Sequence, residues 1–288
     1  MEREHWTQLY ALAQRLGKSL QDRGRYTTAL IVGVFLWAAV HDRPVSWACR
    51  RENWPQELRP RRLPSQSTMS RRLRSPSTIQ LLAAIEAAFQ EPSQDKALEI
   101  IDAKPLPVGG YSKDPDVRWG CAAGGHWKGY KFFAIWGHGP VPRAWQIAPM
   151  SSNERRVAQE LIPRLRGQGQ LLGDSQYDAN YLYDWAAQHG YQLLAPRQRR
   201  GGLGHHYQSP YRIQAIRIME GPQREDILQK RNAIERTFGN WTSFGGGLAP
   251  LPAWIRRPHR VRLWIHAKIL INAVRITKIR ARTATAVA

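Results

Sequence analysis

The sequence predicts a mixed α/β sheet flanked by helices, preceded by a small all-helical domain. Two observations support this fold class. In residues 1–92 apolar side chains recur three and four positions apart, which is the spacing of one helix face. From residue 97 onward, short apolar runs alternate with helical patterns, as they do in α/β domains. We therefore predict a helical domain at 1–92 and a sheet domain at 97–288.

The N-terminal domain is predicted to contain four helices, at residues 3–22, 26–41, 65–73 and 77–90. The second helix holds an apolar run from Ala29 to Val40, whose 12 residues are fewer than the ~20 that a membrane span needs. We expect this run to form a buried core helix. The third helix is short and capped, and it follows Pro64.

The C-terminal domain is predicted to begin with three strands and then to alternate helix and strand. The three strands are expected at 98–102, 128–136 and 143–149, with a glycine- and proline-rich turn between the last two. The later elements are a helix at 153–166 with Asn153 as N-cap, a strand at 170–174, a helix at 180–189 and a strand at 191–195. A basic loop is expected at 196–212, and helices at 223–240 and 259–280.

The charge of the chain indicates a polyanionic partner. It carries 43 lysine and arginine residues against 22 acids, a formal net charge of +21. Self-repulsion of this size disfavours a compact monomer, so a nucleic acid is the expected partner. An RNA-coating basic protein would share this composition. The excess of arginine suits contacts to phosphates and bases through a planar fork of donors.

Cysteine usage and the N-terminus indicate a cytoplasmic protein. Cys49 and Cys121 lie far apart without a CxxC pattern, which argues against a zinc site or a disulfide framework. The first ten residues carry acids and lack an apolar signal-peptide stretch. We expect a protein of a reducing, cytosolic compartment.

Two aspartates end predicted strands. Asp102 follows the run Leu98–Ile101, and Asp174 follows Gln170–Gly173. Sites in open α/β sheets are built at this edge, so the two side chains can meet in space. A third acid on a nearby helix would complete a set of oxygen ligands for Mg²⁺ or Mn²⁺. Periodicity alone leaves the third acid open between Glu225 and Glu235.

Each of these acids also has an ordinary structural explanation. An aspartate at a strand end commonly caps a turn, and a helical glutamate is commonly solvated. Asp178 is expected to cap the helix that follows it rather than to bind metal. His205 and His206 lack ligand partners at metal spacing and are expected to be loop residues.

Several stretches together resemble the DDE transposases of bacterial insertion sequences, within the integrase and RNase H-like superfamily. They are Ile100–Pro105, Gly125–Lys131 followed by Pro149–Glu154, Gly173–Asp178, and Arg231 with Glu235 and Phe238. The resemblance spans about residues 98–275. Two positions depart from the family signature, with Leu228 in place of a tyrosine and Thr242 in place of a lysine.

The resemblance implies an RNase H-like fold and a transposase that cleaves transposon ends and joins them to target DNA. Asp102, Asp174 and Glu235 are then the catalytic residues and the ligands of two Mg²⁺ or Mn²⁺ ions. Glu235 is preferred over Glu225 and Asp226 because Arg231 and Phe238 accompany it. A homodimer on double-stranded DNA is expected. The alternatives are a nuclease of the same fold that does not join strands, and a non-catalytic transposase-derived DNA-binding protein.

The predicted DNA contacts lie in both domains. In the short helix after Pro64, hydroxyls and arginines occupy consecutive positions, as in helices that contact bases and phosphates. A basic helix that touches only the phosphate backbone would share this pattern. We also expect the helix at 259–280 to pack on the sheet and present a basic face to DNA. The individual residues predicted to contact DNA are Arg71, Arg72, Lys128, Lys131, Arg199, Arg200, Arg231 and Arg236.

Overall fold

The computed structural model of the protein describes residues 2–20, 24–91, 97–122, 124–198, 206–222, 224–227, 229–230, 248 and 251–287. The described residues fall into two compact units. The first unit comprises Met1–Gln90 and Trp241–Ala288, and the second comprises Glu91–Asn240. No helix among the described residues is long and apolar enough to cross a membrane.

The helices are α1 (Glu2–Gly17), α2 (Thr28–Val40), α3 (Val45–Ala48), α4 (Gln66–Arg72), α5 (Pro76–Ala87), α6 (Glu154–Leu161), α7 (Asn180–Gln188), α8 (Pro210–Glu220) and α9 (Pro258–Val287). The strands are β1 (Ala97–Pro107), β2 (Arg118–Ala122), β3 (Gly125–Trp136), β4 (Ala144–Pro149), β5 (Gly169–Leu172) and β6 (Tyr191–Leu194). Single 3₁₀ turns occur at Arg51–Asn53, Ile162–Arg164 and Ser175–Tyr177. Residues 224–227 and 229–230 are helical.

The first unit is a helical bundle built around α2. Twelve of the thirteen residues of α2 are buried, as expected for its continuous apolar run. Helices α1, α5 and α9 pack against it. Ser65 caps α4 by accepting a hydrogen bond from the Thr68 amide, and Ser75 caps α5 in the same way through Thr78.

The C-terminal helix belongs to this first unit, whereas the sequence placed it in the sheet domain. Its apolar residues Trp264, Ile265 and Ile269 are buried, and the helix contacts α1, α2 and α5. Lys268, expected on a basic DNA-facing surface, is only 1% exposed and donates to the Ala39 carbonyl at 2.8 Å. An apolar helix face needs an apolar partner, and α2 offers one on all its sides.

The second unit is a six-stranded mixed sheet with the strand order β2-β3-β1-β5-β6, in which β4 also pairs with β3. β1 runs antiparallel to β3 and parallel to β5, and β5 runs parallel to β6. The core on one side combines Ile101, Phe133 and Leu171 with apolar residues of α6, α7 and α8. This mixed sheet with flanking helices is consistent with the RNase H-like fold.

Two elements of the second unit were not predicted. β2 is short and contains Gly120, where a Cβ would meet the Met150 carbonyl oxygen at 2.4 Å. Only glycine allows this close approach of the two backbones. Because glycine has no apolar side chain, it weakens the sequence pattern by which a strand is predicted. α8 begins inside the stretch predicted as a basic loop, although Ser209 caps it and Pro210 occupies its first turn. The predicted helix at 223–240 lies largely outside the described residues.

Candidate active site

The strand register places Asp102 and Asp174 at equivalent positions on neighbouring strands. Ile100 of β1 pairs with Leu172 of β5 in parallel, and each aspartate lies two residues further along its own chain segment. Both aspartates are half-buried. β5 ends at Leu172, whereas β1 continues through Asp102 to Pro107, so the expectation that Asp102 ends its strand is wrong. Asp102 lies inside β1 next to the carboxyl end of β5, and sites of α/β folds are built at such strand ends.

Local hydrogen bonds orient both carboxylates. Asp102 Oδ1 accepts from the Ala103 amide at 2.8 Å. Asp174 Oδ1 accepts from the Gln176 amide at 2.7 Å and thereby caps the 3₁₀ turn that follows it. A side chain at position 173 would meet the Tyr177 ring at 2.7 Å, so glycine is required for this turn to fold back on the strand.

Tyr177 is a buried tyrosine whose pKa is raised by the charges of three carboxylates. Its side chain is fully buried, and its hydroxyl has no hydrogen-bond partner among the described residues. Burial raises the pKa of Tyr177, and the charges of Glu154, Asp102 and Asp174 raise it further, in that order. The negative charges of all three acids therefore act on one buried polar atom. Hard oxygen donors of this kind are the ligand set that Mg²⁺ and Mn²⁺ prefer.

Two lysines lie beside these acids. Lys131 of β3 is 8% exposed and pairs with Glu154 in the first turn of α6, with an Nζ to Oε1 distance of 2.7 Å. Lys104 lies two residues beyond Asp102 on β1; burial lowers its pKa and the charge of Asp102 opposes that shift. The negative charge of the candidate site is therefore partly balanced by cations of the protein itself.

Residues 94–271, more than half of the chain, match the family described as Transposase DDE domain. The chain belongs to this family. Neither a curated protein nor a solved structure matches it significantly. The family supports a transposase function for the chain and implies that it binds DNA. DDE transposases generally use divalent metal ions.

Glu235, which the sequence predicts as the third acid, lies outside the described residues, as do Arg199, Arg200, Arg231 and Arg236. Its competitors Glu225 and Asp226 are described: both are exposed, on a helical segment whose Ile227 joins the core. Within the described part of the chain, no group of three or more acidic, histidine or cysteine residues could hold a metal ion. Among the described residues, Glu225 and Asp226 therefore form no such group with Asp102 and Asp174.

Four basic residues expected to contact DNA can be located. Arg71, in the last turn of α4, is exposed. Arg72 donates to the Tyr26 carbonyl at 3.0 Å and to the Thr28 hydroxyl at 3.2 Å. Lys128 donates to the Ser112 carbonyl at 3.0 Å, and Lys131 is engaged by Glu154. Of these four residues, Arg71 alone is exposed and has no side-chain partner within the described part of the chain.

The sequence predicted that Asp178 caps α7, and this prediction is wrong. Asp178 instead joins the segment after Asp174 to α8. The N-cap position of α7 is Ala179, which makes no side-chain cap. The buried carboxylate of Asp178 accepts from the Gln198 amide at 3.0 Å and from the Arg212 guanidinium of α8. Sequence reasoning missed Glu154 and Arg212 because nothing in their local patterns indicates partners 23 and 34 residues away.

Proposed function

We propose that this chain is the transposase of a bacterial insertion sequence, which cleaves DNA at transposon ends and transfers the strands to target DNA. One observation carries the proposal: Asp102 and Asp174 lie two residues beyond the paired Ile100 and Leu172, on neighbouring strands. Family membership supports the transposase function. Two carboxylates at such an edge suit metal-dependent phosphoryl transfer.

We propose Asp102, Asp174 and Glu235 as the ligands of two Mg²⁺ or Mn²⁺ ions. Such ions, when bound, stabilise the attacking and the leaving oxygen of a phosphodiester exchange. The described residues fit this role, because hydrogen bonds orient the two half-buried carboxylates and the buried Tyr177 hydroxyl has no partner among the described residues. The Tyr177 hydroxyl is a donor that can hold a carboxylate oxygen or an ordered water in place.

The remaining residues position the substrate and the site. Arg155 of α6 donates from Nε to the Gln176 carbonyl and from Nη2 to the Gln198 side chain at 3.0 Å. It thereby braces the segment after Asp174. We propose that Arg71, Arg199, Arg200, Arg231 and Arg236 contact DNA phosphates, that the protein acts as a homodimer on paired ends, and that it works in the bacterial nucleoid.

The test compares Asp102→Asn and Asp174→Asn with the unchanged protein on DNA carrying the ends of the element. In both variants the rate of cleavage should fall by at least ~100-fold while DNA affinity is retained. The carboxylates act in metal-dependent catalysis, whereas cationic side chains bind the phosphates. Loss of affinity in step with cleavage would contradict the proposal. A second assay supplies ends with a pre-formed 3′-hydroxyl: joined products support transposition, whereas hydrolysis without joining identifies a nuclease of the same fold.

A further inference from the structure

The helical unit contains a cleft that neither the family nor the carboxylate site accounts for. It has a volume of about 280 Å³ and lies between the segment after α2, helix α4, and the start of α9. Its lining includes Leu73 and Trp264, which are almost completely buried and form an apolar floor. The cleft thus joins residues near position 70 to residues near position 260, which the sequence alone does not bring together.

The cleft carries positive charge without acids. Arg43, Arg74 and Arg260 line it, all three are exposed, and none forms an ion pair within the described structure. No aspartate or glutamate belongs to its lining. The Arg74 guanidinium is held by Ser70, donating to its carbonyl at 3.0 Å and to its hydroxyl at 3.1 Å. One cation of the cleft is therefore oriented before any ligand arrives.

An aromatic side chain stands at the same cleft. Trp254 lines it and is 41% exposed, although large aromatic groups are normally buried. Exposed aromatic faces beside arginines are typical of surfaces that hold a nucleic acid strand, where cations contact phosphates and rings contact sugars or bases. Cations from three separate chain segments suit a chain of successive phosphates better than one free anion.

We propose that this cleft binds the phosphodiester backbone of DNA, with Arg43, Arg74 and Arg260 contacting phosphates and Trp254 packing on a sugar or base. The inference rests on the proposed function in taking DNA as the substrate. It assigns the contact to a surface built from both ends of the chain. It also differs from the sequence-based expectation for Arg72, whose guanidinium is hydrogen-bonded to Tyr26 and Thr28.

The experiment measures the affinity of the full-length protein for duplex DNA as a function of salt. Each phosphate contact contributes roughly 0.9 to the slope of log affinity against log salt. The triple variant Arg43→Ala/Arg74→Ala/Arg260→Ala should therefore lower the magnitude of that slope by between about two and three. The matched control removes the same charge from exposed arginines outside the cleft, as Arg15→Ala/Arg50→Ala/Arg62→Ala. The control should leave the slope near that of the unchanged protein.

A second variant separates packing from charge. Trp254→Ala should weaken DNA binding several-fold and leave the salt slope unchanged, and Trp254→Phe should restore most of the affinity. The inference would be overturned if the triple variant of the cleft (the cleft triple), the triple variant of the control arginines and the unchanged protein all had equal salt slopes. So would a cleft triple that alters self-association and leaves DNA binding intact, which would indicate a protein partner.

The outcomes distinguish this inference from the proposed function. An unchanged protein that does not bind DNA contradicts the proposed function itself. Normal binding by the cleft triple, together with cleavage that depends on Asp102, contradicts the cleft inference alone. If the triple variant fails to fold, the three single variants decide, because each should lower the slope by roughly 0.9.

Discussion

Arg212 donates two hydrogen bonds to Asp178, from Nε to Oδ1 at 2.6 Å and from Nη2 to Oδ2 at 2.8 Å. This bidentate pair joins α8 to the segment that follows Asp174. The side chains are 14% and 3% exposed, so water screens the pair little. Asp178, four residues after the candidate catalytic residue Asp174, therefore has a structural role.

Asp178→Asn should destabilise the second unit. The substitution leaves the Arg212 guanidinium partly buried without a counter-charge, and breaking such a pair from one side costs about 3–5 kcal/mol. Chemical denaturation of the full chain measures the change. Asp226→Asn, at an exposed position, is the matched control and should change stability by less than ~0.5 kcal/mol. A stability loss of similar size in both variants would contradict the role assigned to the pair.

The same pair predicts a pH dependence of stability. Burial alone would raise the pKa of Asp178, but hydrogen bonds from Arg212 and Gln198 outweigh it and lower the pKa below its usual value. The folded state therefore binds this proton less readily than the unfolded state. The stabilisation is fully present above the unfolded pKa of ~3.9 and is lost as the pH falls through the folded pKa. Denaturation of the unchanged protein from neutral to acid pH should show a decline that Asp178→Asn reduces.

The register of Asp102 and Asp174 could be predicted because each follows a short apolar run, and a buried strand leaves a strong local pattern. The continuation of β1 past Asp102 could not, because Pro105 and Pro107 are atypical of a strand. Other features depend on the fold and leave no such pattern. β2 was missed because Gly120 is required by contact with the Met150 backbone, a distant residue. The C-terminal helix was assigned to the wrong unit because its apolar face fits a sheet or a helix equally well, and only the packing against α2 decides.

Tyr177→Phe should separate stability from chemistry. The hydroxyl has no partner among the described residues, so its removal should leave the melting temperature unchanged or slightly higher. If the hydroxyl orients a metal ligand, cleavage should fall by roughly 10–100-fold and should require more Mg²⁺. Tyr191→Phe is the control, since its hydroxyl donates to the Arg166 carbonyl. Unchanged cleavage and Mg²⁺ dependence in Tyr177→Phe would restrict this tyrosine to packing.

Adjacent arginines of α4 should differ in what they do. Arg72→Ala removes hydrogen bonds to Tyr26 and Thr28, and bonds from a charged donor contribute about 1.5–3 kcal/mol each. It should lower the stability of the helical unit by at least ~1.5 kcal/mol, the lower bound for the loss of one such bond. Arg71→Ala, at an exposed position, should leave stability unchanged and weaken DNA binding. Thermal unfolding and DNA titration of the two variants test these separate roles. A loss of DNA affinity in Arg72→Ala but not in Arg71→Ala would contradict them.

The third acid can be identified by comparing Glu235→Gln with Glu225→Gln and Asp226→Asn. Ile227 is buried in the core while Glu225 and Asp226 are exposed, so their helical segment directs these two acids away from its packed side. Neither belongs to a metal-holding group with Asp102 and Asp174 among the described residues. We therefore expect Glu235→Gln to abolish end cleavage and both other variants to remain within about threefold of the unchanged protein, as surface substitutions usually do. Each variant should bind end DNA normally, because none removes a cation. If Glu225→Gln lost cleavage and Glu235→Gln retained it, Glu225 would be the third acid. The helical segment would then have to turn its exposed side toward the sheet edge.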